Sequence, residues 1–288
     1  MDTLFQIIKQ VPRWKLTQRT VTNEGLRMTS GFKEVIKKQA KTLIKGNLPT
    51  PVYQAGVSVL HRSGLVKKMV QAAATTASLS GQIQTAFREK PYDHKGRPFL
   101  WYSTSMGYFF KTIDFRDKTI LEFGAGHSTL WWARHAKSVT AIEDGEEWYD
   151  YLAPIVPENV ELVRVTDDPN VALEAVKGRK FDLIIVDCNG GVLERDVCNE
   201  WSVDLVAENG AILFDNSEED YYKHDSIPMF YEKGFRRVDF YGIGATKTTP
   251  QCSSIHFKGD CFLWEGKHLP AKIAEFDDDT LAHTPFKK

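Results

Sequence analysis

The stretch ILEFGAGHSTLWWA (120–133) contains residues whose types and spacing suit the binding of a small ligand. Glycines at positions 124 and 126 allow a tight turn and a close approach of the backbone to a ligand, and the helix predicted after them offers unpaired N–H groups. Glu122, two residues before the first glycine, would repel a pyrophosphate but suits a ligand that carries an amino group. The pattern therefore predicts a nucleotide-type site for an amino-bearing ligand.

A dinucleotide site is the alternative for such a turn. The dinucleotide fingerprint has a third glycine where this chain has Thr129, and its turn faces a pyrophosphate. A nicotinamide-dependent oxidoreductase is therefore a second hypothesis, which Thr129 and the late position of the motif in the chain both disfavour. A non-catalytic binding module is a third.

The glycine turn needs a frame, and the surrounding sequence predicts one. Short apolar runs rich in β-formers alternate with helical patterns, which is typical of βαβ crossovers and a parallel sheet covered on both faces. The predicted strands are 119–123, 138–143, 160–165, 181–187 and 210–215, and the predicted helices lie near 128–136, 145–154, 169–177 and 195–208. Two further runs, 235–243 and 253–264, predict strands that pair antiparallel at the end of the sheet. A loop with a helix from about Ser103 to Ile113 precedes the first strand.

Over roughly residues 119–264 the chain resembles the class I S-adenosylmethionine-dependent methyltransferases, whose first motif has the form E-x-G-x-G. The resemblance implies an α/β, Rossmann-like, doubly wound and mostly parallel seven-stranded sheet with an antiparallel terminal strand. It also implies S-adenosyl-L-methionine as cofactor. The residues expected to bind it are Glu122, Gly124, Ala125, Gly126, Ser128, Thr129, Glu143, Asp144, Asp168 and Asp187.

Two acidic positions have specific roles in this resemblance. Glu143 stands at the end of the second strand, where the family holds the ribose hydroxyls by charge-assisted hydrogen bonds, and Asp144 is the neighbouring candidate. Asp167 or Asp168 stands where the family often contacts the adenine amine. Asp168 is equally suited to capping the helix that follows. Trp131 and Trp132 are expected to pack in the core and against the cofactor.

The ends of the fourth and fifth strands suggest a metal site. Asp187 followed by Asp215 and Asn216 is similar to the divalent-metal constellation of catechol- and caffeoyl-CoA-type O-methyltransferases. There a hard cation such as Mg²⁺ binds substrate oxygens and lowers the pKa of the hydroxyl that is methylated. The alternative is that Asp187 orients cofactor or substrate without metal, while Asp215 and Asn216 cap the next segment. Methyl transfer by positioning alone requires no metal.

The general base is left open among residues close to the turn. Asp187 and His127 are the catalytic candidates, with Tyr102 and His224 as further candidates by position. For His127, a hydrogen bond to the cofactor carboxylate is favoured over proton abstraction. The predicted reaction is methyl transfer to a hydroxyl of a small molecule or glycan.

A second resemblance, to poorly characterised bacterial methyltransferase-like proteins, depends on stretches around the predicted sheet. They are GRPFLWYS, VDCNGGVLERDVC, ILFDNSEEDYY and DFYGIGATKTTPQCSSIHF. The chain departs from that pattern at Phe99-Leu100, Cys188-Asn189 and His256. Within it, Arg195 has two interpretations: a ligand for an acidic group of the acceptor, or a salt bridge on a helix surface.

Charge divides the chain unevenly. Residues 1–90 contain 15 Lys or Arg against four Asp or Glu, whereas residues 91–288 contain 22 against 34. The basic helical extension suits a solvated helical face, an anionic membrane surface, nucleic acid, an organellar targeting role or the acidic body of its own or a partner subunit in a homo-oligomer. Nucleic acid is not favoured, because the body is acidic and no base-stacking N-P-P-Y type motif occurs.

The predicted organisation is an extension (1–90), a methyltransferase domain (91–266) and a peripheral tail (267–288). The four cysteines form no C-x-x-C pair, which favours reduced thiols. No apolar run of eighteen or more residues and no secretory signal pattern occurs. A cytoplasmic location is expected.

Overall fold

The computed structural model describes residues 81–88, 90–247 and 249–265, together with the separate positions 68, 71–73 and 77. Most of the predicted extension (1–90) and the predicted tail (267–288) lie outside the described residues. Their assignments, including the membrane and oligomer hypotheses, stay predictions. No helix within the described part of the chain is long and apolar enough to cross a membrane.

The described body is built on one seven-stranded sheet. Its strands are β1 Thr119–Phe123, β2 Ser138–Glu143, β3 Val160–Arg164, β4 Phe181–Val186, β5 Val206–Asp215, β6 Arg236–Ile243 and β7 Pro250–Phe257. Their order in the sheet is β3-β2-β1-β4-β5-β7-β6. The neighbours from β3 to β5 pair parallel, and β7 pairs antiparallel with both β5 and β6. The predicted Rossmann-like sheet with an antiparallel terminal strand is confirmed.

The described helices lie before, between and after the parallel strands, and those near 128–136, 145–154, 169–177 and 195–208 connect the strands as the sequence predicts. They are α1 Gln82–Arg88, α2 Thr104–Phe110, α3 His127–His135, α4 Glu146–Leu152, α5 Asn170–Val176, α6 Arg195–Leu205, α7 Asp220–Lys223 and α8 Ser226–Glu232. Ser103 begins α2 by accepting a hydrogen bond from the Met106 N–H through its hydroxyl. Gly126 occupies the corresponding position before α3.

Two boundaries differ from the prediction. The run 253–264 was expected to form one strand, but β7 begins at Pro250 and ends at Phe257, and a 3₁₀ turn follows at Phe262–Trp264. Gly259 between them has a φ of 52°, a conformation that interrupts an extended strand. The helix expected over 195–208 ends at Leu205, because Val206 already pairs with Phe181 in the sheet.

The sheet is covered by apolar side chains on both faces, as its near-continuous hydrophobic strands require. One face packs against a layer that includes Phe110, Phe115, Trp131 and Trp132. The opposite face packs against a layer that includes Phe123, Phe181, Phe214 and Phe230. Trp131 and Trp132 are 1% and 0% exposed, so their predicted place in the core is confirmed.

The register of the central strands positions the site. Phe123 at the end of β1 pairs with Val186 at the end of β4, and the Asp187 N–H donates to the Phe123 carbonyl at 2.9 Å. The Gly124 N–H donates to the Ile142 carbonyl of β2 at 2.8 Å. The residues that follow β1, β2, β4 and β5 therefore meet at the carboxyl edge of the sheet, where open α/β sheets bind their ligands.

Candidate functional site

The glycine turn is formed by two glycines with different structural reasons. Gly124 has a φ of 93°, and a Cβ there would lie 2.6 Å from the Asp187 carbonyl oxygen. The chain itself therefore requires glycine at 124. Gly126 has an extended backbone with a φ of −172°, and a Cβ there would meet nothing nearer than Ser128 Oγ at 3.8 Å. Internal contacts therefore do not require glycine at 126.

Glu122 supports the turn from below. Its Oε2 accepts a hydrogen bond from Thr129 Oγ1 at 2.5 Å, and the same hydroxyl accepts from the Gly126 N–H at 2.9 Å. Thr129 thus joins the acid to the turn at the position where a dinucleotide fingerprint has its third glycine.

The buried position of Glu122 is electrostatically unfavourable for a carboxylate. The side chain is 0% exposed, and its Oε1 has no hydrogen-bond partner. Burial raises the pKa of Glu122 to about 8, although the bonds from Ser128 and Thr129 oppose the shift. A positively charged group brought to the turn would favour the ionised form.

Glu143 holds the turn from the neighbouring strand. Its Oε2 accepts from the Ala125 N–H at 2.5 Å, and its Oε1 accepts from the Gly145 N–H at 2.7 Å. Burial raises the pKa of Glu143 to about 7, against the effect of these two backbone bonds. Each carboxylate oxygen keeps a second lone pair, so the pair of hydroxyls expected on a ribose still finds acceptors here.

Asp144 and Asp168, which were also predicted to bind cofactor, have local hydrogen-bond partners. Asp144 Oδ2 accepts from the Leu193 N–H at 2.9 Å and so ties the loop after β4 to the end of β2. Asp168 is exposed, and its Oδ1 accepts from the backbone N–H and the side-chain amide of Asn170 at 2.9 and 2.8 Å. These bonds are local to the start of α5, whose N-cap position is occupied by Pro169 rather than Asp168, and the adenine contact of Asp168 stays a prediction.

His127 is enclosed rather than free. Its Nδ1 lies 2.8 Å from the Pro91 carbonyl oxygen, and its Nε2 lies 2.9 Å from the Tyr151 hydroxyl. A carbonyl only accepts, so Nδ1 carries the proton and Nε2 of the neutral ring accepts from Tyr151. Burial lowers the pKa of His127, which agrees with a neutral ring. With both nitrogens engaged, the geometry supports neither proton abstraction nor a bond to the cofactor carboxylate.

Of the two other candidate bases, Tyr102 is unsuited and His224 stays a prediction. Burial raises the pKa of Tyr102 well above its ordinary value, and the charge of Glu122 raises it further. Its hydroxyl oxygen accepts from Trp132 Nε1 at 3.2 Å. His224 is exposed at the end of α7. Asp187 remains, since only its Oδ1 is hydrogen-bonded within the described residues and its side chain is 20% exposed.

Arg195 connects the ends of β4 and β5. Its NH2 lies 2.9 Å from Asp187 Oδ1 in a salt bridge, and its NH1 donates to the Asp215 carbonyl and to Asn216 Oδ1 at 2.7 and 3.2 Å. Its Nε donates to the Cys188 carbonyl at 2.6 Å. The side chain is 6% exposed, so the expected salt bridge is present but buried rather than on a helix surface.

The three residues predicted as metal ligands do not fit a divalent cation. Asp187 and Asn216 already accept hydrogen bonds from a fixed guanidinium, and Asp215 Oδ1 accepts from the Ser253 hydroxyl. Among the described residues, no group of three or more His, Cys, Asp or Glu side chains is arranged to hold a metal. A second cation at this position would face the Arg195 charge directly.

Asp215 and Asp187 disfavour each other's ionisation. Burial and the nearby charge of Asp187 raise the pKa of Asp215 to about 8. Burial also raises the pKa of Asp187, whereas Arg195 and Lys247 lower it. The edge of the sheet is therefore acidic, and Arg195 is its buried positive charge.

Sequence reasoning missed two contributors to the site. Ser253 on β7 reaches Asp215 because β5 and β7 pair Asp215 directly with Ser253. An antiparallel alignment of the two predicted strands was the available signal. Lys90 was missed because nothing in its local sequence marks it. Its Nζ lies 3.5 Å from the Tyr151 ring centroid and 4.4 Å from that of Trp148, beside His127.

Comparisons with known proteins found similar solved structures but no matching sequence family. No family model and no curated protein matches the chain. A methyltransferase from Pyrococcus furiosus is 24% identical with a TM-score of 0.40, over 54% of this chain and 82% of that one. The O-methyltransferase TomG from Streptomyces achromogenes, solved with SAM, is 15% identical with a TM-score of 0.41, over 54% and 78%. Precorrin-6y C5,15-methyltransferase from Geobacter metallireducens is 13% identical with a TM-score of 0.43, over 54% and 88%.

These identities and TM-scores are too low to assign an activity to this chain. The strand order and the antiparallel end of the sheet come from the chain's own pairing. They confirm the resemblance to class I methyltransferases at the level of the fold, and the site must carry the functional argument.

Proposed function

We propose that the body of this protein binds S-adenosyl-L-methionine and transfers its methyl group to a hydroxyl of a small molecule or glycan. The observation that carries the proposal is the convergence of two buried acids on one glycine turn. Glu143 bonds the turn at Ala125, and Glu122 bonds it through Thr129. Between these supports lies Gly126, where the chain's own contacts do not require a glycine.

The two acids suit different parts of this cofactor. Glu143, at the end of β2, offers lone pairs to the ribose hydroxyls beside the turn that would face the methionine portion. Glu122 supplies a negative environment for the amino group below the turn. A pyrophosphate at the turn would meet Glu122 unfavourably, which argues against a nicotinamide cofactor, whereas an acid at the position of Glu143 suits the ribose of either cofactor.

When bound, S-adenosyl-L-methionine would supply an electrophilic methyl group on a positively charged sulfur, and the neutral thioether would be the leaving group. The chain has to place the acceptor hydroxyl in line and to remove its proton. Asp187 is the residue proposed for that proton, because its Oδ2 is not hydrogen-bonded within the described residues. Arg195 holds the other oxygen and so fixes the direction of the carboxylate.

The test is the affinity of the Glu143→Ala variant for S-adenosylhomocysteine, measured by isothermal titration. Loss of charge-assisted bonds to two hydroxyls is expected to weaken binding by about 1.5–3 kcal/mol, or about ten- to a hundredfold in Kd. Glu147→Ala is the matched control, because Glu147 is an exposed glutamate on the next helix. Equal affinity of both variants and the parent would refute the placement of the ribose.

A further inference from the structure

Arg195 is the first residue of α6, yet its side chain is buried beneath the edge of the sheet. The guanidinium has five N–H groups in a planar fork. Four hydrogen bonds use them: to the carbonyls of Cys188 and Asp215 and to the side chains of Asp187 and Asn216. Within the described residues, one N–H on NH2 has no hydrogen-bond acceptor.

These contacts bring the guanidinium to the place predicted for a metal. Two of the three predicted ligands bond it through side-chain oxygens, and the third, Asp215, bonds it through its backbone carbonyl. Like a metal cation bound by oxygen ligands, the guanidinium is surrounded by oxygen atoms at the ends of two adjacent strands, and these oxygens accept its hydrogen bonds. The ring of Tyr222 lies 5.3 Å from the guanidinium carbon and adds a cation–π contact.

The fork shape of arginine is necessary for this arrangement. An ammonium is a point charge with three donors and cannot bond four separate oxygens on two strand ends. The bonds to Cys188 and Asp215 go to the main chain, so they also fix the backbone on which Asp187 and Asn216 stand.

We propose that Arg195 is the built-in cation of this site, so that methyl transfer here is independent of a divalent metal. The proposal rests on the proposed function. The proposal also limits how the methyl acceptor is held: the single remaining N–H can contact at most one oxygen of the methyl acceptor, whereas a metal binds two. The acceptor therefore needs no pair of neighbouring oxygens, and Arg195 acts as a positioning residue for Asp187.

The test measures the binding of Mn²⁺ to the full chain by the electron paramagnetic resonance signal of the free ion. With S-adenosylhomocysteine present, the parent protein is expected to show no saturable Mn²⁺ site into the millimolar range. The Arg195→Ala variant, which leaves all three predicted ligands in place, is expected to gain one saturable site. Asp187→Asn in that background is expected to remove it again.

Two results would overturn the proposal. One is a saturable Mn²⁺ site in the parent protein that Asp187→Asn abolishes. The other is a folded Arg195→Ala variant that gains no Mn²⁺ site. Arg179→Ala is the control, because Arg179 pairs with Glu161 at a partly exposed position. If Arg195→Ala does not fold, Arg195→Gln replaces it, and the measurement on the parent still decides.

Failure of the proposed function gives a different signature. S-adenosylhomocysteine would then fail to bind the parent protein both with Mg²⁺ and with EDTA, whatever the Mn²⁺ result. Equal affinity under the two conditions, together with the absence of a Mn²⁺ site, supports both proposals.

Discussion

Substituting alanine at each glycine of the turn separates a structural requirement from a ligand requirement. At position 126 the backbone is extended, and the new Cβ would be 3.8 Å from its nearest neighbour. Replacing glycine in a compatible conformation stabilises a protein by about 0.4–1 kcal/mol, because the unfolded chain loses freedom. Gly126→Ala is therefore expected to fold at least as stably as the parent and to lose affinity for S-adenosylhomocysteine by about tenfold or more, or 1.4 kcal/mol.

Position 124 is expected to behave in the opposite way. The φ of 93° and the 2.6 Å approach to the Asp187 carbonyl make Gly124→Ala unfavourable in the folded state. Left-handed strain of about 1–2 kcal/mol and overpacking of about 1–3 kcal/mol add to a loss of roughly 2–5 kcal/mol. For a domain of this size the melting temperature falls by about 2–4 °C for each kcal/mol.

Thermal unfolding and isothermal titration on the same three proteins form the assay. The reasoning is refuted if Gly126→Ala binds S-adenosylhomocysteine as tightly as the parent. It is also refuted if Gly126→Ala is destabilised as strongly as Gly124→Ala, since the space at 126 would then be internal packing.

Two further predictions concern the buried acids. Because the pKa values of Glu122, Asp215 and Glu143 are raised to about 8, 8 and 7, their contribution to stability is fully present below the ordinary carboxyl pKa and is lost as pH rises through about 7–8. The melting temperature of the ligand-free protein should fall as the pH rises from 5.5 to 8.5. Asp215→Asn is the control, because it removes one of the three carboxyl groups. A melting temperature that stays constant over this pH range would contradict the raised pKa values. Thr129→Val removes the hydroxyl that joins Glu122 to Gly126, so it should destabilise the protein by about 1–3 kcal/mol and weaken S-adenosylhomocysteine binding. Unchanged urea unfolding of this variant, with Thr112→Val as a partly buried control, would count against that bridge.

The frame of the site was predictable because its signals are local. The central parallel strands β1, β2 and β4 are almost entirely buried, so they form mostly apolar runs, and β1 leads directly into the glycine turn. The end of β7 was not predictable in this way. The apolar residues of FLW (262–264) continue the strand-like pattern, whereas the φ of 52° at Gly259 breaks it.

The chemistry around the turn depends on contacts between distant parts of the chain, and these limited the prediction. His127 stands in the motif, but its ring partners are Pro91 and Tyr151, which no spacing rule connects to it. Arg195 lies near Asp187 in sequence. Its burial depends on the position of α6 beneath the ends of β4 and β5, which the local sequence does not specify. The prediction of a metal depended on Asp187, Asp215 and Asn216 alone and left out the cation that the chain brings to them.

Isothermal titration of the full chain with S-adenosylhomocysteine in EDTA, with NADH titrated in parallel, tests directly whether the glycine turn binds S-adenosyl-L-methionine. We expect one saturable S-adenosylhomocysteine site with micromolar affinity and no NADH binding. Saturable NADH binding, or no binding of S-adenosylhomocysteine, would contradict it, because the turn between Glu122 and Glu143 would then serve a different ligand or none.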